Sequence, residues 1–138
     1  MTAEQRQAGE QFLLSRLTTP FSWGGNDCGL FVADFLKECG QVDYAHGLRG
    51  AYEGAASARR AFESFGVNSI AGYMERIADE NDWLEIPILE GRWGDVGLVN
   101  LEGRESSCVC IGSRVQATGP KGAVSLGLSL VSKMWRVL

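Results

Sequence analysis

The segment from Pro20 to Cys39, with the sequence PFSWGGNDCGLFVADFLKEC, constrains the fold of this chain more than any other. Its glycines predict a turn, and Asp27 is a residue type that caps the start of a helix. A helix is therefore expected to begin at Cys28 and to end at Gly40, because glycine commonly follows the last helical turn. Apolar residues recur at the three-, four- and seven-residue spacings of one helical face, namely Cys28, Phe31, Val32, Phe35 and Cys39.

This placement gives the Cys28 thiol two alternative roles. In the first helical turn, unpaired backbone N–H groups and the helix dipole favour a thiolate, which lowers the pKa of a thiol and suits a nucleophile. A cysteine on an apolar helical face is also a common small core residue. Among the neighbours, Asp27 is interpreted as the helix cap, and Trp23 as a core anchor for the turn.

The composition predicts one ordinary globular domain over residues 1–138, with 45% hydrophobic and 22% charged residues. A net charge of -4 without a basic cluster argues against nucleic acid as a partner. No apolar run approaches the roughly 18 residues that would span a bilayer, so no membrane insertion is expected. The first residues mix both charges, unlike a secretory signal, so the protein is expected to stay inside the cell that makes it unless it leaves by lysis or as part of a particle.

The four cysteines do not form a recognisable disulfide framework. Cys28 and Cys39 would lie about 16 Å apart along one helix, beyond the roughly 7 Å limit between Cα atoms. Cys108 and Cys110 lie two residues apart on one face of a predicted strand, so their side chains would point in the same direction from positions about 7 Å apart. These distances also argue against a shared metal, so no cofactor is expected and reduced thiols are the simplest interpretation. Cys108 and Cys110 are predicted to face the Cys28 helix as packing residues.

The order of the other elements predicts an α+β domain. Helical patterns cover residues 4–17, 55–65 and 69–78, and residues 41–54 indicate a loop. Ala8, Phe12, Leu13 and Leu17 form the candidate inner face of the first helix. After Pro87, short apolar or alternating segments separated by glycines indicate four or five antiparallel strands, near residues 95–101, 107–111, 115, 126 and 135–137.

The stretch WGGNDCGLFVADFL resembles the Trp-Gly-(Gly)-x-x-Asp-Cys segment of NlpC-type cell-wall cysteine peptidases, especially the short NlpC-like proteins of phage and prophage tail modules. Gly94-Asp95 resembles the family's Gly-Asp strand opening, and the segment 107–112 resembles the next strand. The ending Trp135-Arg136-Val137 is similar to the tail-module subgroup. The resemblance implies a papain-like NlpC-type fold, in which N-terminal helices pack on a small antiparallel barrel-like sheet, and makes Cys28 the nucleophile position.

The resemblance also shows what this chain lacks. A thiol hydrolase needs a general base, and in the family a histidine opens the strand after the Gly-Asp strand. Alignment on Gly112 places Ser106 there, and a shift of one residue gives Glu105 or Ser107. Gln116 falls at the position that orients the base.

The only histidine cannot easily replace that base. His46 lies about six residues beyond the far end of the Cys28 helix, so the intervening loop would have to run back along nearly the whole helix. His46 is therefore interpreted as a loop residue. Asp95 is interpreted as a structural carboxylate that binds turn N–H groups.

Three functional hypotheses follow. The leading one is a structural or assembly protein of a phage or prophage tail, in its narrower form at the tail tip, whose hydrolase machinery is degenerate. Its partners would be other tail proteins, and its location the host cytoplasm during assembly and then the virion. The alternative is an active thiol peptidase or amidase that cleaves peptidoglycan peptides during phage entry with Cys28 as nucleophile. The third is an acyl-transfer or thiol-binding module.

Overall fold

The computed structural model describes residues 1–138 as four helices followed by six strands. The helices are α1 (Ala3–Arg16), α2 (Cys28–Glu38), α3 (Ala55–Ser64) and α4 (Ile70–Glu80). The strands are β1 (Leu84–Glu85), β2 (Val96–Leu101), β3 (Arg104–Cys110), β4 (Arg114–Ala117), β5 (Val124–Gly127) and β6 (Val131–Arg136). Two short 3-10 helices cover Ile88–Glu90 and Leu128–Leu130. None of the helices is long and apolar enough to cross a membrane.

Local sequence signals account well for α2. Asp27 is its N-cap, and the Asp27 carboxylate accepts hydrogen bonds from the backbone N–H groups of Gly29 and Leu30, both at 3.0 Å. Gly40 has a φ of +91°, the left-handed conformation that glycine adopts at little cost after a helix. The predicted start and end of α2 are therefore confirmed.

The first helix differs from its prediction at one end. Phe12 and Leu13 are buried, but the helix ends at Arg16, and Leu17 is 48% exposed. At Gly9, an added Cβ would lie 2.6 Å from the sulfur of Cys39. Glycine at this position therefore lets α1 approach α2 closely.

The strands form one antiparallel sheet in the order β1-β6-β2-β3-β4-β5. The strand β6 lies between β1 and β2 although it comes last in the chain. Gly97 of β2 allows this close pairing, since an added Cβ would lie 2.4 Å from the carbonyl oxygen of Lys133. The predicted α+β arrangement is confirmed, whereas β1 was not predicted because two residues carry almost no alternating pattern.

The sheet has a hydrophobic cluster on each face. On the helical side, α1, α2 and α4 pack on the sheet residues Val96, Leu98, Val109 and Trp135. The opposite side is filled by Val99, Cys108, Cys110, Val115, Ala117, Val131 and Met134. The prediction that Cys108 and Cys110 face α2 is therefore wrong: Val109, opposite Val96, contacts the helical side instead. All four cysteines of the chain are free.

Asp95 has the structural role expected from the sequence. Its carboxylate accepts a hydrogen bond from the backbone N–H of Arg92 at 2.7 Å. It also pairs with the guanidinium of Arg136 at 2.9 and 3.1 Å. This pair fastens the turn before β2 to β6, which helps to fix the strands that carry the site below.

Candidate functional site

A cavity of about 400 Å³ opens at the end of the sheet where α2 begins. Three segments line it: the turn before α2, the hairpin between β2 and β3, and the residues after β4. The lining residues are Phe21, Trp23, Cys28, Leu101, Arg104, Glu105, Ser106, Thr118, Gly119 and Pro120. The cavity therefore brings the helix-opening thiol together with the first residues of β3.

The Asp27 carboxylate holds the start of the helix in place by accepting four hydrogen bonds. One carboxylate oxygen accepts the two N–H groups of the first turn of α2. The other accepts the N–H of Gly24 at 2.9 Å and the hydroxyl group of Tyr52 at 2.5 Å. Gly24 has a φ of +75°, and an added Cβ would lie 2.4 Å from the carbonyl oxygen of Tyr52, so the turn requires glycine there. Asp27 is thus the cap that the sequence predicted, and it is completely buried.

The environment of Cys28 raises the pKa of its thiol from the usual 9.0 to about 12. Burial is the largest cause, and the neighbouring Asp27 carboxylate adds to it. The Arg104 guanidinium and the backbone N–H groups lower the pKa, but by less. The expectation of a thiolate at the helix terminus is therefore wrong, because burial disfavours the charged sulfur and the cap at Asp27 also brings a negative charge to it. At neutral pH the thiol stays protonated.

Ser106, at the aligned position of the missing base, borders the same cavity as Cys28. Its hydroxyl group donates to the carbonyl oxygen of Ser107 at 3.2 Å. The strand register places Ser106 opposite Val99, which belongs to the cluster on the far face of the sheet. Ser107 lies opposite Leu98, which contacts the helices. Ser107 rather than Ser106 therefore lies on the face of β3 that packs on the helices.

Ser107 does not supply a base either. It is fully buried, and its hydroxyl oxygen has no hydrogen-bond partner. A serine hydroxyl is far too weak a base to accept the proton of a thiol at neutral pH. Ser107 could therefore not take the proton from Cys28, and Glu105, the other candidate position on this face, carries a carboxylate instead of an imidazole.

Gln116 and His46 lie apart from the cavity. Gln116 is opposite Val109 in the β3–β4 pair, and its amide donates to the carbonyl oxygen of Leu13 at 2.9 Å. Its amide thus ties β4 to α1, so the structure does not bring Gln116 together with Cys28 and Ser106. His46 lies in an exposed turn between α2 and α3 and does not line the cavity.

An aromatic wall forms another side of the cavity. Phe21 and Trp23 meet edge to face with their ring centroids 4.9 Å apart. Trp23 also contacts the ring of Tyr52 at 6.3 Å and is 38% exposed. The interpretation of Trp23 as a core anchor is therefore incomplete, because a large part of its ring is available to a ligand.

A comparison of the sequence with known families now identifies the chain. The sequence profile of a family described as a domain of unknown function, DUF6950, matches residues 2–137. The chain belongs to the DUF6950 family. No curated protein sequence matches the DUF6950 chain.

Two solved structures resemble the DUF6950 chain. The first is RipD from Mycobacterium tuberculosis, described as a non-catalytic NlpC/p60 domain protein with an adaptation to peptidoglycan-binding function. It matches with a TM-score of 0.51 and 16% sequence identity, over 99% of the DUF6950 chain and 100% of RipD. The second is the P60 domain of antigen MAP1272c from M. avium paratuberculosis, with a TM-score of 0.48, 20% identity, and coverage of 98% and 96%. The likeness to RipD shows that the DUF6950 chain has an NlpC/p60 fold, which confirms the predicted NlpC-type fold.

Sequence reasoning missed one charged residue of the DUF6950 site. Arg104 opens β3 and lines the cavity, and its charge acts on the Cys28 thiol. The signal that could have found it is Glu102-Gly103, a two-residue turn that places Arg104 at the start of the returning strand.

Proposed function

We propose that this chain is a non-hydrolytic recognition domain with the NlpC/p60 fold, and that it binds peptidoglycan peptides in the cavity beside Cys28. The observation that carries this proposal is a cavity of about 400 Å³ that contains a protonated thiol and no imidazole. Thiol hydrolysis needs both an activated sulfur and a group to protonate the leaving amine. Binding needs neither, and the exposed aromatic wall suits it.

The description of RipD supports this reading by analogy. RipD is described as non-catalytic and adapted to peptidoglycan binding, and it has the same fold. The present chain has no histidine at any of the three candidate positions, Glu105, Ser106 and Ser107. The raised pKa of Cys28 also disfavours the peptidase and acyl-transfer alternatives, since the thiolate is the reactive species.

The test measures binding and cleavage on the same samples. Purified protein is sedimented with insoluble peptidoglycan, and soluble muropeptides are analysed by mass spectrometry after prolonged incubation. We expect co-sedimentation without new products, and binding of Cys28→Ala within about twofold of wild type because no covalent step is involved. Cleavage that Cys28→Ala abolishes would establish a hydrolase instead.

A matched pair of variants locates the binding surface. Trp23→Ala removes the exposed part of the aromatic wall, and we expect it to lose most of the co-sedimentation. Leu89→Ala removes a side chain that is 88% exposed outside the cavity, and it should bind like wild type. Equal binding of both variants, or no binding by wild type, would contradict the proposal.

The biological setting that we propose is a phage or prophage tail, with other tail proteins as partners and the virion as the final location. This rests on the resemblance of the segment around Trp23 and Cys28 and of the ending at Trp135 to tail-module proteins. We also propose that residues 1–138 act as one domain. Particles purified from a producing strain should contain the chain by mass spectrometry, and its absence from intact particles would refute the tail assignment.

A further inference from the structure

The hairpin between β2 and β3 places the positively charged side chain of Arg104 at the cavity. Glu102 and Gly103 form its two-residue turn with positive φ values of 52° and 82°. The N–H of Gly103 donates to the side-chain oxygen of Asn100 at 2.9 Å, which stabilises the turn. Arg104 then pairs with Leu101 in the first rung of the hairpin. The backbone that carries the Arg104 guanidinium is therefore fixed at the cavity.

The Arg104 guanidinium is not paired with any group of this chain. Arg104 makes no ion pair and no side-chain hydrogen bond, in contrast to Arg49 and Arg136, which bind carboxylates. Its guanidinium lines the cavity and lowers the pKa of Cys28, and the carboxylate of Glu105, the next residue of β3, lines the same cavity. Arg104 is therefore the only positively charged residue that lines the cavity, and its charge is not neutralised by an ion pair within the chain.

The two groups at the start of α2 do not compete for that charge. The Asp27 carboxylate already accepts four hydrogen bonds and is completely buried. The Cys28 thiol is neutral because its pKa is about 12. A guanidinium offers two parallel N–H groups that match a carboxylate.

We propose that the cavity selects peptide ligands with a free carboxylate, which Arg104 binds while the Phe21–Trp23 wall packs against the adjoining apolar stem. This inference rests on the proposed function for its ligand class, and it adds the chemical group that is recognised and the residue that recognises it. Arg104 is a binding residue here, and no bond of the ligand is made or broken.

The test compares a soluble peptidoglycan stem peptide that has free carboxyl groups with the same peptide after amidation of every carboxyl group. Binding is followed by calorimetry and by the change in tryptophan fluorescence. For wild type, we expect amidation to weaken binding by about 5- to 20-fold, the size of one charge-assisted contact at a partly exposed site. For Arg104→Gln, the free acid and the amide should bind within about twofold of each other.

Two control variants separate recognition from general charge and from folding. Arg59→Gln removes an exposed arginine of α3 that makes no ion pair and lies outside the cavity, so it should retain the wild-type preference for the acid. Arg104→Lys keeps the charge without the fork of two N–H groups and should retain only part of the preference. Because Arg104 is exposed, its variants should keep the wild-type circular dichroism spectrum.

A second probe distinguishes failure of this inference from failure of the proposed function. N-acetylphenylalanine and its amide offer a carboxylate on an apolar stem without any peptidoglycan chemistry. Stem peptides that bind without regard to amidation or to Arg104 would overturn the inference and leave the proposed function intact. Arg104-dependent binding of N-acetylphenylalanine without binding of stem peptides would support carboxylate recognition and overturn the proposed function. Binding of neither probe would overturn both.

Discussion

The pKa of Cys28 leads to a quantitative prediction for its alkylation rate. With a pKa of about 12, the thiolate fraction at pH 8 is on the order of 10⁻⁴, compared with about a tenth for a thiol at the usual 9.0. The thiolate population is thus about 1,000-fold lower. A more basic thiolate is intrinsically more reactive, by about 25-fold for a shift of this size. Iodoacetamide should therefore alkylate Cys28 roughly 40-fold more slowly than an exposed cysteine at pH 8.

The pH dependence separates this effect from simple steric protection. Between pH 8 and pH 10 the Cys28 rate should rise about 100-fold, because its thiolate fraction increases tenfold per unit below its pKa. An exposed cysteine should rise only about tenfold, as it approaches full ionisation. Steric protection alone would slow the reaction without steepening this dependence.

The assay is a timed iodoacetamide pulse followed by digestion and quantitative mass spectrometry of the Cys28 peptide. The buried cysteines Cys39, Cys108 and Cys110 serve as internal reporters, since their alkylation would reveal unfolding. Arg104→Ala should slow the reaction of Cys28 further, because the guanidinium lowers the pKa of that thiol. A rate equal to that of an exposed cysteine at pH 8, or one that stays flat up to pH 10, would refute the reasoning.

Three further predictions concern stability. Burial raises the pKa of Cys28 and Cys39 to about 12 and about 11, so the unfolded chain loses these protons first as the pH rises through 9. The free energy of unfolding, measured by urea denaturation, should therefore fall between about pH 9 and pH 11, by up to about 1.4 kcal/mol per unit for each thiol, and a constant value would contradict this. Gly9→Ala should destabilise the protein by about 1–3 kcal/mol in thermal unfolding, because the new Cβ would lie 2.6 Å from the sulfur of Cys39. In a Cys39→Ala background, which lacks that sulfur, Gly9→Ala should destabilise the protein by clearly less. An equal loss in both backgrounds would exclude the clash. Ser107→Ala should change stability by less than about 1 kcal/mol because the hydroxyl has no partner to lose, and a loss above about 2 kcal/mol would show that it has one.

The sequence predicts the elements whose signals are local. The helix α2 is an example, since its cap at Asp27, its apolar period and its stop at Gly40 all lie within fourteen residues of one another. The fold class follows from the order of such elements. The location of the thiol at the start of α2 is also a local property, and the structure has Cys28 there.

Properties that depend on distant parts of the chain could not be predicted in the same way. The face on which Cys108 lies is set by pairing with β2 and by the elements on either side of the sheet, so alternation alone left two choices. The predicted lowering of the Cys28 pKa was wrong because the helix terminus can be read from the local sequence, whereas burial depends on distant parts of the chain. Gln116 is a similar case, since its partner Leu13 lies 103 residues away in sequence.

The position of β6 has a consequence for how the protein is made on the ribosome. Residues 131–136 supply the neighbour of both β1 and β2, so neither strand has its full set of partners until the ribosome has released this stretch. A nascent chain that stops at β5 has an open gap in the middle of its sheet and an exposed β2 edge that invites pairing with other chains. A product that lacks residues 131–136 should therefore be prone to aggregate.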